Sequence, residues 1–158
     1  MFFESDYKIL SNEKIAKDVY KMRLEGDTSH ITAPGQFVNI KLEGKFLRRP
    51  ISVCDCEENV ITIIYKVVGE GTEQMSALET GEMLNVLTGL GNGYDISKST
   101  KPLLIGGGVG VPPMYLLAKK LIEAGQKPIV VLGFNTKDEV FYEDEFKALG
   151  VDVFVTTV

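Results

Sequence analysis

The stretch Arg48-Arg49-Pro50-Ile51-Ser52 sets two guanidinium groups beside a proline, with a small hydroxyl three positions after the second arginine. A guanidinium fork matches phosphate oxygens better than a lysine ammonium does. In an extended run Ile51-Ser52-Val53-Cys54-Asp55-Cys56, Ile51 and Val53 face one side while Ser52 and Cys54 face the other. This pattern points to a flat, anionic ligand, with Arg49 at a pyrophosphate and Ser52 toward a ring system. The same residues also suit an edge strand whose proline blocks pairing and whose arginines are solvated.

Two further stretches carry compatible chemistry. Tyr65 and Lys66 close an apolar run and are followed by Gly69-Glu70-Gly71-Thr72. A helix opening at Gly71 and Thr72, with Thr72 as its cap and Gly81 as its stop, offers free backbone N–H groups to an anion. Tyr65 could pack on a ring and Lys66 meet a phosphate; a plain strand, turn and surface helix is the alternative. The third stretch is Leu103-Leu104-Ile105 followed by Gly106, Gly107, Gly108 and Gly110, then Pro112-Pro113. Strand, glycine turn and helix in that order make a dinucleotide-type turn. G-x-G-x-x-G is not satisfied, because Val111 and Pro113 fall where a final glycine is needed, and Asn135 replaces the acid expected after the next strand. A tight turn without a ligand is the other reading.

Other chemistries find no support. The single histidine, His30, lies in a loop and reads as solvated; there is no G-x-S-x-G, H-E-x-x-H or P-loop motif. Cys54 and Cys56 are two sulfurs where an iron–sulfur cluster needs four ligands, so they read as packed strand residues in a reducing setting and no metal is expected. Asn92-Gly93-Tyr94-Asp95 reads as a turn able to cover a ligand.

The elements that must position these residues fall into two parts. Up to about residue 97, runs at 6–12, 19–27, 35–44, 50–59, 59–69 and 82–89 read as strands separated by turns, with the polar stretch 12–18 as a connection and one helix at 71–81. Short strands at such spacing predict a small antiparallel barrel or sandwich. From 101 to 158 the pattern is β-α-β-α-β: apolar runs at 102–107, 128–135 and 151–158 alternate with helices at 112–125 and 143–150. The 158 residues, 44% hydrophobic and 25% charged with a net charge of -5, are those of a globular protein without a nucleic-acid-binding tract. The charged N-terminus does not read as a signal peptide, and no run reaches the roughly 20 apolar residues of a membrane helix.

Taken in order, RRPIS, YK, GT and GGGVGVPP resemble the ferredoxin reductase type of FAD flavoprotein, and within it the electron-transfer subunits of NAD-dependent dihydroorotate dehydrogenases. The resemblance covers nearly the whole chain. It implies an FAD-binding barrel at 1–97 and a partial NAD-binding domain at 101–158. It implies that Arg49, Pro50, Ile51 and Ser52 hold the isoalloxazine and phosphates, that Ile64, Tyr65 and Lys66 line the flavin, and that Gly71 and Thr72 bind the pyrophosphate. Gly106, Gly107, Gly108 and Gly110 would receive the nicotinamide dinucleotide, while Asn135 and Lys137 leave NADH and NADPH both open. The implied role is electron transfer between NAD and an FMN-containing catalytic partner that oxidises dihydroorotate in cytoplasmic pyrimidine synthesis. A flavin or ferredoxin reductase, a hydrogenase-linked subunit, and a binding module without turnover are the alternatives. The family's 2Fe–2S segment would follow residue 158, so this chain is expected to be truncated, to carry no cluster and to show weak or no NADH turnover. Its first parallel strand is then expected at a sheet edge, exposing Leu103, Leu104 and Ile105 and favouring self-association.

Overall fold

The computed structural model describes residues 2–158. Six antiparallel strands come first: β1 (Phe3–Ala16), β2 (Val19–Glu25), β3 (Phe37–Ile40), β4 (Arg49–Glu57), β5 (Val60–Lys66) and β6 (Met83–Leu90), with helix α1 (Glu70–Ser76) before the last. They close into a barrel in the order β1-β2-β5-β4-β3-β6. Alternation dictates what fills it. Met22 and Leu24, Val38 and Ile40, and Ile61, Ile63 and Tyr65 point inward and are fully or almost fully buried, and Met75 from α1 joins them.

The second part contains β7 (Leu103–Gly107), α2 (Pro112–Glu123), β8 (Ile129–Phe134), α3 (Glu143–Ala148) and β9 (Asp152–Thr157). The three strands are parallel in the order β7-β8-β9. Pro112 and Pro113 open α2, where missing N–H groups cost nothing, and Gly125 at φ +82° lies just past its end. A Cβ on Gly106 would lie 2.9 Å from the Gly110 carbonyl oxygen and 3.0 Å from Val111 Cα, so glycine is required where the strand meets the start of α2. Barrel plus β-α-β-α-β agrees with the architecture expected from the sequence.

The two parts share one apolar cluster. Val19, Cys54 and Ile64 point out of the barrel into it, and Val111, Met114, Phe141 and Tyr142 enter from the other side. Two ion pairs cross the same junction, Lys119 to Asp55 at 2.8 Å and Lys66 to Glu139 at 3.1 Å. Burial pulls the Lys119 ammonium down, but its hydrogen bond to Asp55 and the attraction of the surrounding negative groups, Asp55 foremost, together leave it raised. Among the described residues no helix is long and apolar enough to cross a membrane.

Four expectations are corrected. The polar stretch 12–18 is not a connection: β1 runs through Ala16 and pairs Glu13 with Lys21 and Lys14 with Tyr20, irregularities at Leu10 and Ile15 accommodating its length. The backbone ladder to β2 holds a strand that is too polar to read as one. Helix α1 ends at Ser76, and Thr72 is inside it instead of capping it; the Thr72 hydroxyl accepts the N–H groups of Val68 and Gly69, while Gly81 turns the chain into β6 at φ +94°. A bulge between Val53 and Asp55 breaks the alternation of β4, sending Cys54 to the junction and Cys56 toward the barrel interior, so the two thiols do not share a face. On β7, which does lie at a sheet edge, Leu103 and Ile105 are exposed but Leu104 is buried under α2.

Candidate functional site

Two clefts open side by side where the barrel meets the parallel sheet. The first, about 380 Å³, has the start of β4 as one wall, with Arg49, Pro50, Ile51 and Ser52. The end of β5 gives Ile64, Tyr65 and Lys66, and Val68 and Thr72 complete that side. The register explains the grouping, because β4 and β5 are neighbours in the barrel and both reach the same end of it. Eight residues expected at a ligand from sequence therefore border one space.

The two arginines part company. Arg48 is tied to Asn85 Oδ1 at 2.6 Å, to the Asn39 carbonyl at 3.2 Å and to Glu4 at 3.1 Å, and is a structural clamp. Arg49 leans over α1, donating to the Leu47 carbonyl at 2.5 Å. A Cβ on Gly71 would lie 2.2 Å from Arg49 Nε, so Gly71 is the seat of the guanidinium. Among the described residues no carboxylate pairs with Arg49, which leaves most of its five donors for an anion in the cleft.

Ile64 and Lys66 point out of the barrel and Tyr65 points in. The Tyr65 ring is buried near Tyr20, its hydroxyl donates to Asn12 Oδ1 at 2.8 Å, and burial raises its pKa, so it gives the cleft a rim and not a stacking face. Asn12 in turn donates to the carbonyls of Met75 and Leu78 at 2.8 and 2.9 Å, fixing the end of α1. Sequence reasoning missed Asn12 because it fell in the stretch read as a connection.

The second cleft, about 320 Å³, lies at the carboxyl ends of the three parallel strands, where open α/β sheets bind ligands. Gly107 and Gly108 come from the end of β7, Gly133 and Phe134 from β8, and Thr156 and Thr157 from β9. Gly108 adopts φ +53° and begins a 3-10 turn that ends at Gly110. Gly106 faces α2 and serves packing, and neither it nor Gly110 is among the residues lining the cleft. Asn135 lies on the wall; Lys137 does not.

Lys66 and Val109 line both clefts, so the two spaces meet at this pair. Glu139, which the sequence reading did not single out, fixes Lys66 with one oxygen and accepts the Thr136 N–H with the other at 3.1 Å. The hydrogen bond from Lys66 holds the Glu139 carboxyl below its ordinary range. Val109 and Glu139 carry no sequence signal beyond their place after a glycine turn and after a strand end.

The remaining candidates lie elsewhere. His30 stacks on Phe3 and faces Asp27 at 3.7 Å, outside both clefts. Tyr94 is bonded through its N–H to the Pro34 carbonyl at 2.7 Å, and the 92–95 turn borders a separate groove beside β7. Cys54 is buried in contact with Tyr142, and burial raises its thiol pKa strongly.

Comparison with known proteins adds to this geometry. No family model matches the sequence. The dihydroorotate dehydrogenase B (NAD(+)) electron transfer subunit of Fusobacterium nucleatum subsp. nucleatum is 49% identical over 162 residues, covering 97% of this chain and 62% of that protein. The subunit of the same name from Bacillus cereus strain G9842 is 43% identical, covering 95% and 61%. The chain thus spans about three-fifths of the length of these curated relatives. Among solved structures, an NADH-dependent reduced ferredoxin-NADP oxidoreductase described for flavin-based electron bifurcation superposes with a TM-score of 0.87 at 37% identity, covering 96% of this chain and 56% of that one. Phthalate dioxygenase reductase, described as a modular structure for electron transfer from pyridine nucleotides to a 2Fe–2S centre, gives 0.81 at 23% identity over 98% and 51%, a likeness of fold. Over nearly all of its length the chain is a homologue of the electron transfer subunits, with the fold of ferredoxin reductase-type flavoproteins.

Proposed function

We propose that this homologue of the dihydroorotate dehydrogenase B electron transfer subunits binds FAD in the Arg49 cleft and NAD(H) in the neighbouring one. The observation that carries the reading is the shared wall: Lys66 and Val109 belong to both clefts, so a ring system in one space and a nicotinamide in the other would meet there. The fit to a flavin dinucleotide rests on Arg49, an arginine seated on a glycine with no carboxylate partner among the described residues. When bound, the flavin supplies the redox chemistry, taking electrons as a pair and giving them up singly or as a pair.

The chain's own residues would bind and orient. Arg49, beside Gly71 and Thr72, would neutralise the pyrophosphate. Ser52 projects outward from β4 and has no hydrogen-bond partner among the described residues, so its hydroxyl is free for a ring heteroatom. Ile64, Pro50 and Ile51 give apolar walls, and the backbone of Tyr65 closes the rim. Gly107 and Gly108 would let the second dinucleotide approach the main chain, with Gly106 and Gly110 shaping that turn from behind. Residues 1–97 would serve as the flavin domain and 101–158 as the nucleotide domain.

The wider role proposed is cytoplasmic electron transfer in pyrimidine synthesis. An FMN-containing catalytic subunit would oxidise dihydroorotate to orotate, releasing two electrons and two protons. NAD(+) would take two electrons and one proton, and the second proton would leave to solvent. A 2Fe–2S relay would be held outside this chain, whose two thiols face opposite sides of β4. The test is reconstitution: the purified protein should take up one FAD per chain with a flavin visible spectrum, and Arg49→Ala should weaken this. A colourless protein that takes up no added FAD is a binding module of another kind and ends the proposal.

A further inference from the structure

The loop between β3 and β4 presents two bare apolar side chains beside the Arg49 cleft. Phe46 is 99% exposed and Leu47 68% exposed. A free phenylalanine at a loop tip is unremarkable in a loose loop, but this loop is clamped. Lys45 pairs with Glu70 of α1 at 2.7 Å, and Gln74 of α1 donates to the Glu43 carbonyl at 3.0 Å. Arg48 fixes its far end, and the Leu47 carbonyl accepts directly from Arg49. The ring is therefore held out on a braced support, one residue from the group that contacts the guanidinium of the cleft.

A dinucleotide is two nucleotides joined through a pyrophosphate. If Arg49 holds that pyrophosphate, the ring system fills the cleft on one side and the second nucleoside must leave on the other. Phe46 and Leu47 flank Arg49 without lining the cleft itself. A purine stacks on an aromatic face whatever its hydrogen-bonding edge, so a braced, exposed phenylalanine suits one. We propose that Phe46, supported by Leu47, is the stacking platform for the adenine of the flavin dinucleotide, and so the residue that makes the site prefer FAD over FMN. This rests on the FAD reading above and adds the half of the ligand that the cleft does not enclose.

FMN carries the same ring and a phosphate but no adenosine, so comparing the two separates the claims. Binding is read from the change in flavin fluorescence on titration with each. The wild-type protein should bind FAD more tightly than FMN. Phe46→Ala should weaken FAD by about tenfold while leaving FMN unchanged, and Phe46→Trp should restore FAD binding. An unchanged FAD-to-FMN ratio in Phe46→Ala overturns the platform while leaving the Arg49 site standing, and would mean that the loop tip serves some other surface. Failure of the wild-type protein to bind either flavin overturns the Arg49 site and the platform with it.

Discussion

Replacing Gly71 with alanine isolates the seat of Arg49. The new Cβ would stand 2.2 Å from Nε, 2.6 Å from Nη2 and 2.7 Å from Cζ of Arg49, inside the distance any real contact tolerates. The obstructed group is the far end of a flexible side chain, so the guanidinium swings away and the fold survives. Gly71 lies within α1, where alanine is the better helix former by up to roughly 1 kcal/mol, so stability should hold or rise slightly. The cost appears in the ligand. Losing a charge-assisted contact to a phosphate is worth about 1.5–3 kcal/mol, which is roughly a ten- to 150-fold weaker affinity. FAD titration and urea denaturation of Gly71→Ala, Arg49→Ala and the double variant make the test. Both single variants should lose similar affinity, and the double variant should lose no more than Arg49→Ala, because the two act through one guanidinium. Wild-type affinity in Gly71→Ala, or a full additional loss in the Arg49→Ala background, would refute this account of the seat.

Other consequences follow from the same contacts. Asn12→Ala removes the groups that hold the Met75 and Leu78 carbonyls and strands the buried Tyr65 hydroxyl; urea denaturation should show a loss of about 2–3 kcal/mol, and a loss below about 0.5 would deny Asn12 its fixing role. Glu139 has its folded-state pKa depressed by Lys66, so its contribution is present above the unfolded carboxyl value of about 4.3 and is lost as pH falls through the folded value. The stability gap between wild type and Glu139→Gln should therefore stay constant above the unfolded carboxyl value of about 4.3 and close as pH falls below it; a gap independent of pH would show that the ion pair does not titrate with folding. With Cys54 buried and Cys56 half-buried, both thiols raised by burial, a thiol reagent should label Cys56 slowly and Cys54 only on unfolding. Equal labelling of the two in the native protein would contradict the packing at the junction.

What was legible in the sequence depended on whether a neighbour along the chain or a neighbour in space decided the outcome. β7 and β8 showed as apolar runs, Leu104, Val130 and Leu132 packing into the core while Leu103, Ile105 and Ile129 remain exposed on the other face, and α2 showed through Pro112, Pro113 and Gly125 at its ends. Inward residues such as Ile61, Ile63 and Tyr65 kept the period of a strand. The walls of the first cleft were legible because Arg49 to Ser52 and Ile64 to Lys66 are each contiguous. The polar end of β1 was not, since what holds it is its backbone pairing with Val19 to Met22 of β2. Nor did any local pattern tell Arg48 from Arg49; Asn85 and Gly71, from distant segments, make one a clamp and leave the other free. The bulge that separates Cys54 from Cys56, and the salt bridge that draws Glu139 to Lys66, are likewise tertiary events.

The central claim is that one flavin lies in the Arg49 cleft with its ring toward the Lys66–Val109 wall. A crystal structure of the protein grown with FAD measures this directly. The account predicts isoalloxazine density against Ser52 and Ile64, and a phosphate oxygen within hydrogen-bond distance of the Arg49 guanidinium. FAD density at another site with the Arg49 cleft empty, or a ring system reversed so that adenine fills the cleft, would contradict it.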